Sequence, residues 1–117
     1  YQLVAVSPDS NVNVDRLQRR HSLRYTLLTD NKLALAKSMG LAYFLDKKME
    51  ALYKEKFGVP YVDIEGETRV SLPVPAVYII DTTGLIHFQY VNPNHKLRLD
   101  EKLLLTAAER ALIAMDI

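Results

Sequence analysis

Apolar and polar positions alternate in two different rhythms along this chain. The segment "QLVAVS" at residues 2–7 is apolar on both parities, as is "YTLLT" at 25–29. Runs of this kind fit strands covered on both faces, and "SPDS" at 7–10 ends the first of them. Between the two runs, "VDRLQRRHSL" follows Asn13, a suitable N-cap, and sets Val14, Leu17 and Leu23 on a charged background. That spacing predicts a short surface helix with a narrow apolar stripe. After the second run, Asp30 is placed to cap "NKLALAKSM", whose Leu33, Ala36 and Met39 share one face until Gly40 stops the helix. Strand, helix, strand, helix in close succession predicts a parallel pair joined by a right-handed crossover, and therefore an α/β sheet.

The second half is less regular. Asp46 is placed to cap "KKMEALYKEKF", where Met49, Leu52, Tyr53 and Phe57 form a stripe and Gly58 follows as a C′ residue. This reads as an inserted amphipathic helix over about 46–57. Residues 59–72 hold prolines, charges and Gly66 without sustained period, and read as a loop containing at most a short irregular strand. "AVYIID" and "LIHFQYV" are then separated by "TTG", a hairpin signal with Gly84 at the left-handed turn position. Its register puts Val77 and Ile79 on one face and Tyr78 and Ile80 on the other. Asp100 is expected to cap a last helix reaching about Met115, with Leu104, Ala107, Ala108, Ala111, Leu112 and Met115 on a broad stripe.

Composition narrows the function classes. Fifteen Lys and Arg stand against fourteen Asp and Glu, a net charge of +1, so no overall field favours nucleic acid or an anionic membrane as a partner. Apolar runs of about half a dozen residues fall far short of the roughly 20 that span a bilayer, so the chain is expected to be soluble and a single domain. Cysteine is absent, which removes thiolate nucleophiles, disulfides and Cys-ligated metals from these 117 residues and leans towards a cytoplasmic setting. His21, His87 and His95 are far apart, with no second ligand expected at helical or hairpin spacing, so neither a metal nor another cofactor is expected. Four glycines are too few for a phosphate-cradling loop, and no serine sits in an elbow motif. The basic clusters "RRH" at 19–21 and "NHKLR" at 94–98 could hold an anion, but read first as solvated surface.

"SLPVPAVYIID" raises a sharper question, because Pro73 and Pro75 precede the most apolar run in the chain. A proline opening a strand is either punctuation or a cis bond that shapes a binding surface. The segment "VPAVYIIDTTGLIHF" resembles the redoxin pattern of a proline, an apolar strand ending in Ile-Asp, a glycine turn and a second strand. "VAVSPDS" resembles the peroxiredoxin strand that follows the catalytic helix, and "YTLLTDNKLALAKSMGL" a further segment of that family. With "LPVPAVYIID" and "YVNPNHKLRLD", these pieces follow the order found in peroxiredoxin-like proteins of the alkyl hydroperoxide reductase and thiol-specific antioxidant family, from about residue 2 to 113.

The resemblance implies an α/β thioredoxin-like (peroxiredoxin-type) sandwich, incomplete at its N-terminus, with a mixed sheet, a C-terminal hairpin and a closing helix. Its implied sheet order is 25–29, 2–7, an empty slot, 76–81, 85–91. It implies a thiol oxidoreductase parent acting on a peroxide or disulfide, with a thiol reductant, through a cysteine outside these residues. The chain itself would then be inactive. Pro75 is expected as a cis residue lining the cysteine loop, with Val74 and Ala76 offering backbone groups there. A homodimer that closes the slot is one expected assembly. Two departures favour an alternative, a non-catalytic thioredoxin-fold interaction domain: the missing cysteine, and Pro75 standing six residues before Asp81, where many peroxiredoxins carry an arginine.

Overall fold

A computed structural model describes residues 1–57, 62–64, 67–94 and 96–115. Among them the chain forms a mixed α/β structure of four helices and small two-stranded sheets, arranged in two compact units, Tyr1–Pro73 and Val74–Ile117. The boundary falls inside the two-proline motif.

The first unit opens with β1 (Val4–Ser7), α1 (Asn11–His21) and β2 (Thr26–Thr29). β1 and β2 pair in parallel, with Val4 opposite Thr26 and Ser7 opposite Thr29, as the strand-helix-strand pattern predicts. α1 starts earlier than expected because Ser10, not Asn13, is its N-cap: the Ser10 hydroxyl accepts the Asn13 N–H at 3.3 Å. Ser22 ends the helix in the left-handed region at φ 48°, its N–H returning to the Gln18 carbonyl. Val14 is buried and Leu17 half-buried, so the stripe is real at those two positions, whereas Leu23, expected on it, lies beyond the end of the helix.

The expectation that β1 is covered on both faces is corrected. Val4, Val6 and, on β2, Leu28 are 43 %, 45 % and 50 % exposed, because the sheet alternates open and half-buried positions and α1 packs on β2 from one side. Apolarity on both parities records what the strand can bury, and among the described residues α1 is the helix that packs on this sheet.

α2 (Ala34–Ser38) is shorter than its pattern predicts. Asp30 still supplies the cap, but from a distance: its two carboxylate oxygens accept the N–H groups of Leu35 and Ala36 at 3.0 and 2.9 Å. Leu33 lies between them with φ 57°, a left-handed conformation that is costly for a branched side chain. Its burial at 2 % exposure, packed with Ala36, Leu41 and Ala42, offsets that cost. Met39, grouped with them by spacing, is exposed.

β3 (Ala42–Phe44) follows, then α3 (Lys47–Phe57), which Asp46 caps through the Met49 N–H at 2.8 Å. The stretch from residue 59 on, expected as a loop with a short irregular strand at most, contains three: β4 (Val62–Ile64), β5 (Glu67–Arg69) and β6 (Ser71–Pro73). β4 and β5 pair as a hairpin, and β6 pairs antiparallel with β3, placing Phe44 opposite Ser71 and Ala42 opposite Pro73. Three-residue strands carry too little period to be read in isolation; pairing makes them. The Gly58 cap lies outside the described residues.

The second unit is a hairpin and a helix. β7 (Ala76–Ile80) and β8 (Ile86–Val91) pair antiparallel around Gly84, whose φ of 93° fulfils the left-handed turn expectation. Ile79 is buried and Ile80 exposed, so the two parities do separate at the turn end. The register shifts there: Ile79 faces Phe88 but Ile80 faces Ile86, leaving His87 as the extra residue of a bulge. α4 (Glu101–Met115) packs on β8 and is capped by Asp100, which accepts the Lys102 and Leu103 N–H groups at 2.8 and 3.2 Å. Its inner stripe is Leu104, Ala107, Ala108, Ala111 and Met115. Leu112, expected on that stripe, is 50 % exposed.

Candidate functional site

The segment Val74–Pro75–Ala76 opens the second unit and is half-buried throughout. No cis peptide bond occurs among the described residues, so the expected cis-Pro75 is corrected to trans. The physical reason is strand pairing: Pro75 leads straight into β7, its carbonyl accepting the Asn92 N–H at 3.3 Å just beyond the Ala76–Val91 pair. The ring sits where a missing donor costs the ladder nothing. Val74 makes no backbone hydrogen bond among the described residues, whereas Ala76 is held in the sheet.

Polar side chains brace the strand opposite Pro75. Tyr90 donates its hydroxyl to the Leu97 carbonyl at 3.1 Å and receives the Asn92 amide at 3.3 Å. Asn92 in turn accepts the Asn94 N–H at 3.0 Å, and Asn94 accepts that of Lys96 at 3.1 Å. These short-range Asn contacts turn the chain after β8 towards α4. The network holds a backbone in place and contains no nucleophile.

A second polar centre lies at the far end of the hairpin, about 20 Å of strand away from Pro75. Asp81 Oδ1 accepts the Thr83 hydroxyl, the Thr83 N–H and the Leu85 N–H at 2.6, 2.8 and 3.0 Å. Asp81 Oδ2 lies 2.9 Å from His87 Nε2, with both side chains largely covered. The Thr83 hydroxyl, the His87 ring and these backbone amides together hold the Asp81 carboxyl well below the usual carboxylate range, against a smaller opposing effect of desolvation. The expectation that no histidine has an acidic partner at hairpin spacing is corrected. The bulge at His87 aims its ring at Asp81, a displacement that strict alternation along β8 conceals. The signal was an aspartate before the turn and a histidine after it.

Chemically, Asp81–His87 is an oriented imidazole without a substrate nucleophile, since the Thr83 hydroxyl is itself spent on Asp81. It locks the turn. His21 is exposed at the end of α1, and His95 lies outside the described residues. No group of three metal-ligating side chains occurs among the described residues.

The first unit has its own buried charge. Glu50 on α3 is 7 % exposed, and its Oε1 accepts the Val70 N–H at 3.1 Å and Arg69 Nε at 3.0 Å. Arg69 also donates to the Leu45 carbonyl and lies over the Phe44 ring, 5.0 Å from its centroid. Val70 is wholly buried, and its carbonyl accepts the Leu45 N–H at 3.1 Å. Ser71 completes the node by donating to the Tyr43 carbonyl at 2.7 Å. Desolvation, and then the neighbouring Tyr53, raise the Tyr43 hydroxyl above its ordinary value. The node ties α3 to β5 and, through Arg69 and Ser71, to the β3–β6 pair.

No family model, no curated protein and no solved structure matches this chain. No helix among the described residues is long and apolar enough to cross a membrane.

Proposed function

We propose that these 117 residues belong to a thioredoxin-like domain of a peroxiredoxin-like thiol oxidoreductase, one that reduces peroxides or exchanges disulfides through a cysteine the residues do not contain. The observation that carries the reading is the succession of elements: a parallel β1–α1–β2 unit, then an antiparallel β7–β8 hairpin led in by Pro75 and followed by α4. Within this reading Val74, Pro75 and Ala76 support the thiol rather than react, with the unbonded Val74 peptide as the group open to a substrate or to the cysteine loop.

A second reading is a non-catalytic interaction domain of the same architecture. The trans Pro75 bond favours it, together with the absence of cysteine and of an arginine six residues before Asp81. One experiment separates the two. The natural polypeptide containing these residues is assayed for hydrogen peroxide consumption and for disulfide reduction with dithiothreitol, before and after alkylation by iodoacetamide. Turnover abolished by alkylation supports the oxidoreductase. No turnover, or turnover indifferent to alkylation, supports the interaction domain. In an active enzyme Pro75→Ala slows the thiol step by about tenfold or more, since small misplacements at a reacting centre are costly. Unchanged kinetics would remove Pro75 from the site.

A further inference from the structure

The outer face of α1 is more basic than the chain as a whole. Arg16, Arg19 and Arg20 stand at i, i+3 and i+4, all exposed, and border one shallow open depression together with Asp15 and Val12. Their surroundings differ sharply from those of Arg69 in the same unit, whose guanidinium meets a carboxylate, a carbonyl and a ring. None of the three α1 arginines has a hydrogen-bond or ion-pair partner among the described residues, although Asp15 precedes Arg19 by one helical turn. Val12, one turn before Arg16 on the same row, is 65 % exposed.

We propose that this face is a docking surface for an acidic helical segment of a protein partner, independently of the redox reading above. Three planar guanidinium groups within one helical turn match carboxylates spaced three and four residues apart on a facing helix, because both helices share the same rise. Val12 adds an apolar contact one turn away and fixes the direction of approach. Nucleic acid fits less well: the arginines span about 6 Å of helix axis, too little to track a phosphate backbone. A membrane surface fits less well still, since one valine is a small apolar face for an interfacial helix.

The test is fluorescence anisotropy with a labelled helix-forming peptide of about 20 residues, long enough to hold its structure. The peptide carries glutamates at three- and four-residue spacing and a single leucine. A glutamine-for-glutamate version, an oligothymidylate of similar length and phosphatidylserine–phosphatidylcholine vesicles serve as competitors. The glutamate peptide should bind and weaken several-fold as salt rises from about 50 to 300 mM. The triple variant R16Q/R19Q/R20Q should weaken it by about tenfold or more with an unchanged circular dichroism spectrum. Asp15→Asn should tighten it. Equal binding of the glutamine peptide, unaltered binding by the triple variant, or tighter binding of the oligonucleotide or the vesicles would overturn the proposal.

Discussion

Removing Glu50 tests whether its node is held by charge or by a backbone hydrogen bond. Both of its hydrogen bonds converge on a single oxygen, Oε1. Glu50→Ala leaves the Val70 N–H, on a residue with 0 % exposure, without an acceptor, a loss of about 1–3 kcal/mol for a buried donor. The Arg69 side chain is 33 % exposed and keeps its Leu45 contact, so its loss falls well below the 3–5 kcal/mol of a fully buried broken pair, and about 1 kcal/mol is reasonable. The sum is about 3 kcal/mol, a hundredfold or more in the unfolding equilibrium. Glu50→Gln can keep a carbonyl oxygen in the same place and forfeits only the ionic part, so about 1 kcal/mol is expected. Urea unfolding followed by circular dichroism gives the totals, and hydrogen exchange of the Val70 amide localises them to the first unit. Two results would refute the reasoning: Glu50→Ala costing under about 0.5 kcal/mol, or Glu50→Gln costing as much as Glu50→Ala.

Two other perturbations probe the hairpin. Because the folded-state value of Asp81 is lowered, its contribution is fully present above the ordinary carboxylate value near 4 and declines as pH falls through the lower, folded-state value. Protection of the Thr83 and Leu85 amides should accordingly persist at neutral pH and fade only in strong acid; Asp81→Asn should flatten that acid dependence, and an unaltered profile would count against the turn lock. Gly84→Ala places a Cβ where nothing lies within 4 Å, yet at φ 93°, so backbone strain alone should cost about 1–2 kcal/mol in the melting of the second unit. A neutral substitution there would mean that the turn relaxes to another conformer.

Legibility followed the length of each pattern. α4 and its Asp100 cap are plain in the sequence because fifteen residues give several turns of consistent spacing. Gly84 is equally plain, since its backbone conformation dictates its residue type. The Ser10 cap was missed because Ser10 and Asn13 are both capable caps, and only the hydrogen bond between them decides which one acts. β3 and β6 were missed because three residues carry no period and acquire their identity from each other. The Asp81–His87 contact depends on a one-residue register shift that no local rule reveals.

The sequence by itself determined the order of strand and helix signals, the turn at Gly84, the caps at Asp46 and Asp100 and the absence of any thiol, because these follow from local backbone preference and residue chemistry. Only the tertiary structure decided that Pro75 is trans, that Val4 and Val6 stand exposed, that Glu50 is buried with Arg69, and that three arginines on α1 are left without partners. Those outcomes depend on which distant segments come together, and in each case the energy that decides is that of burial and pairing, which a single stretch of chain does not carry.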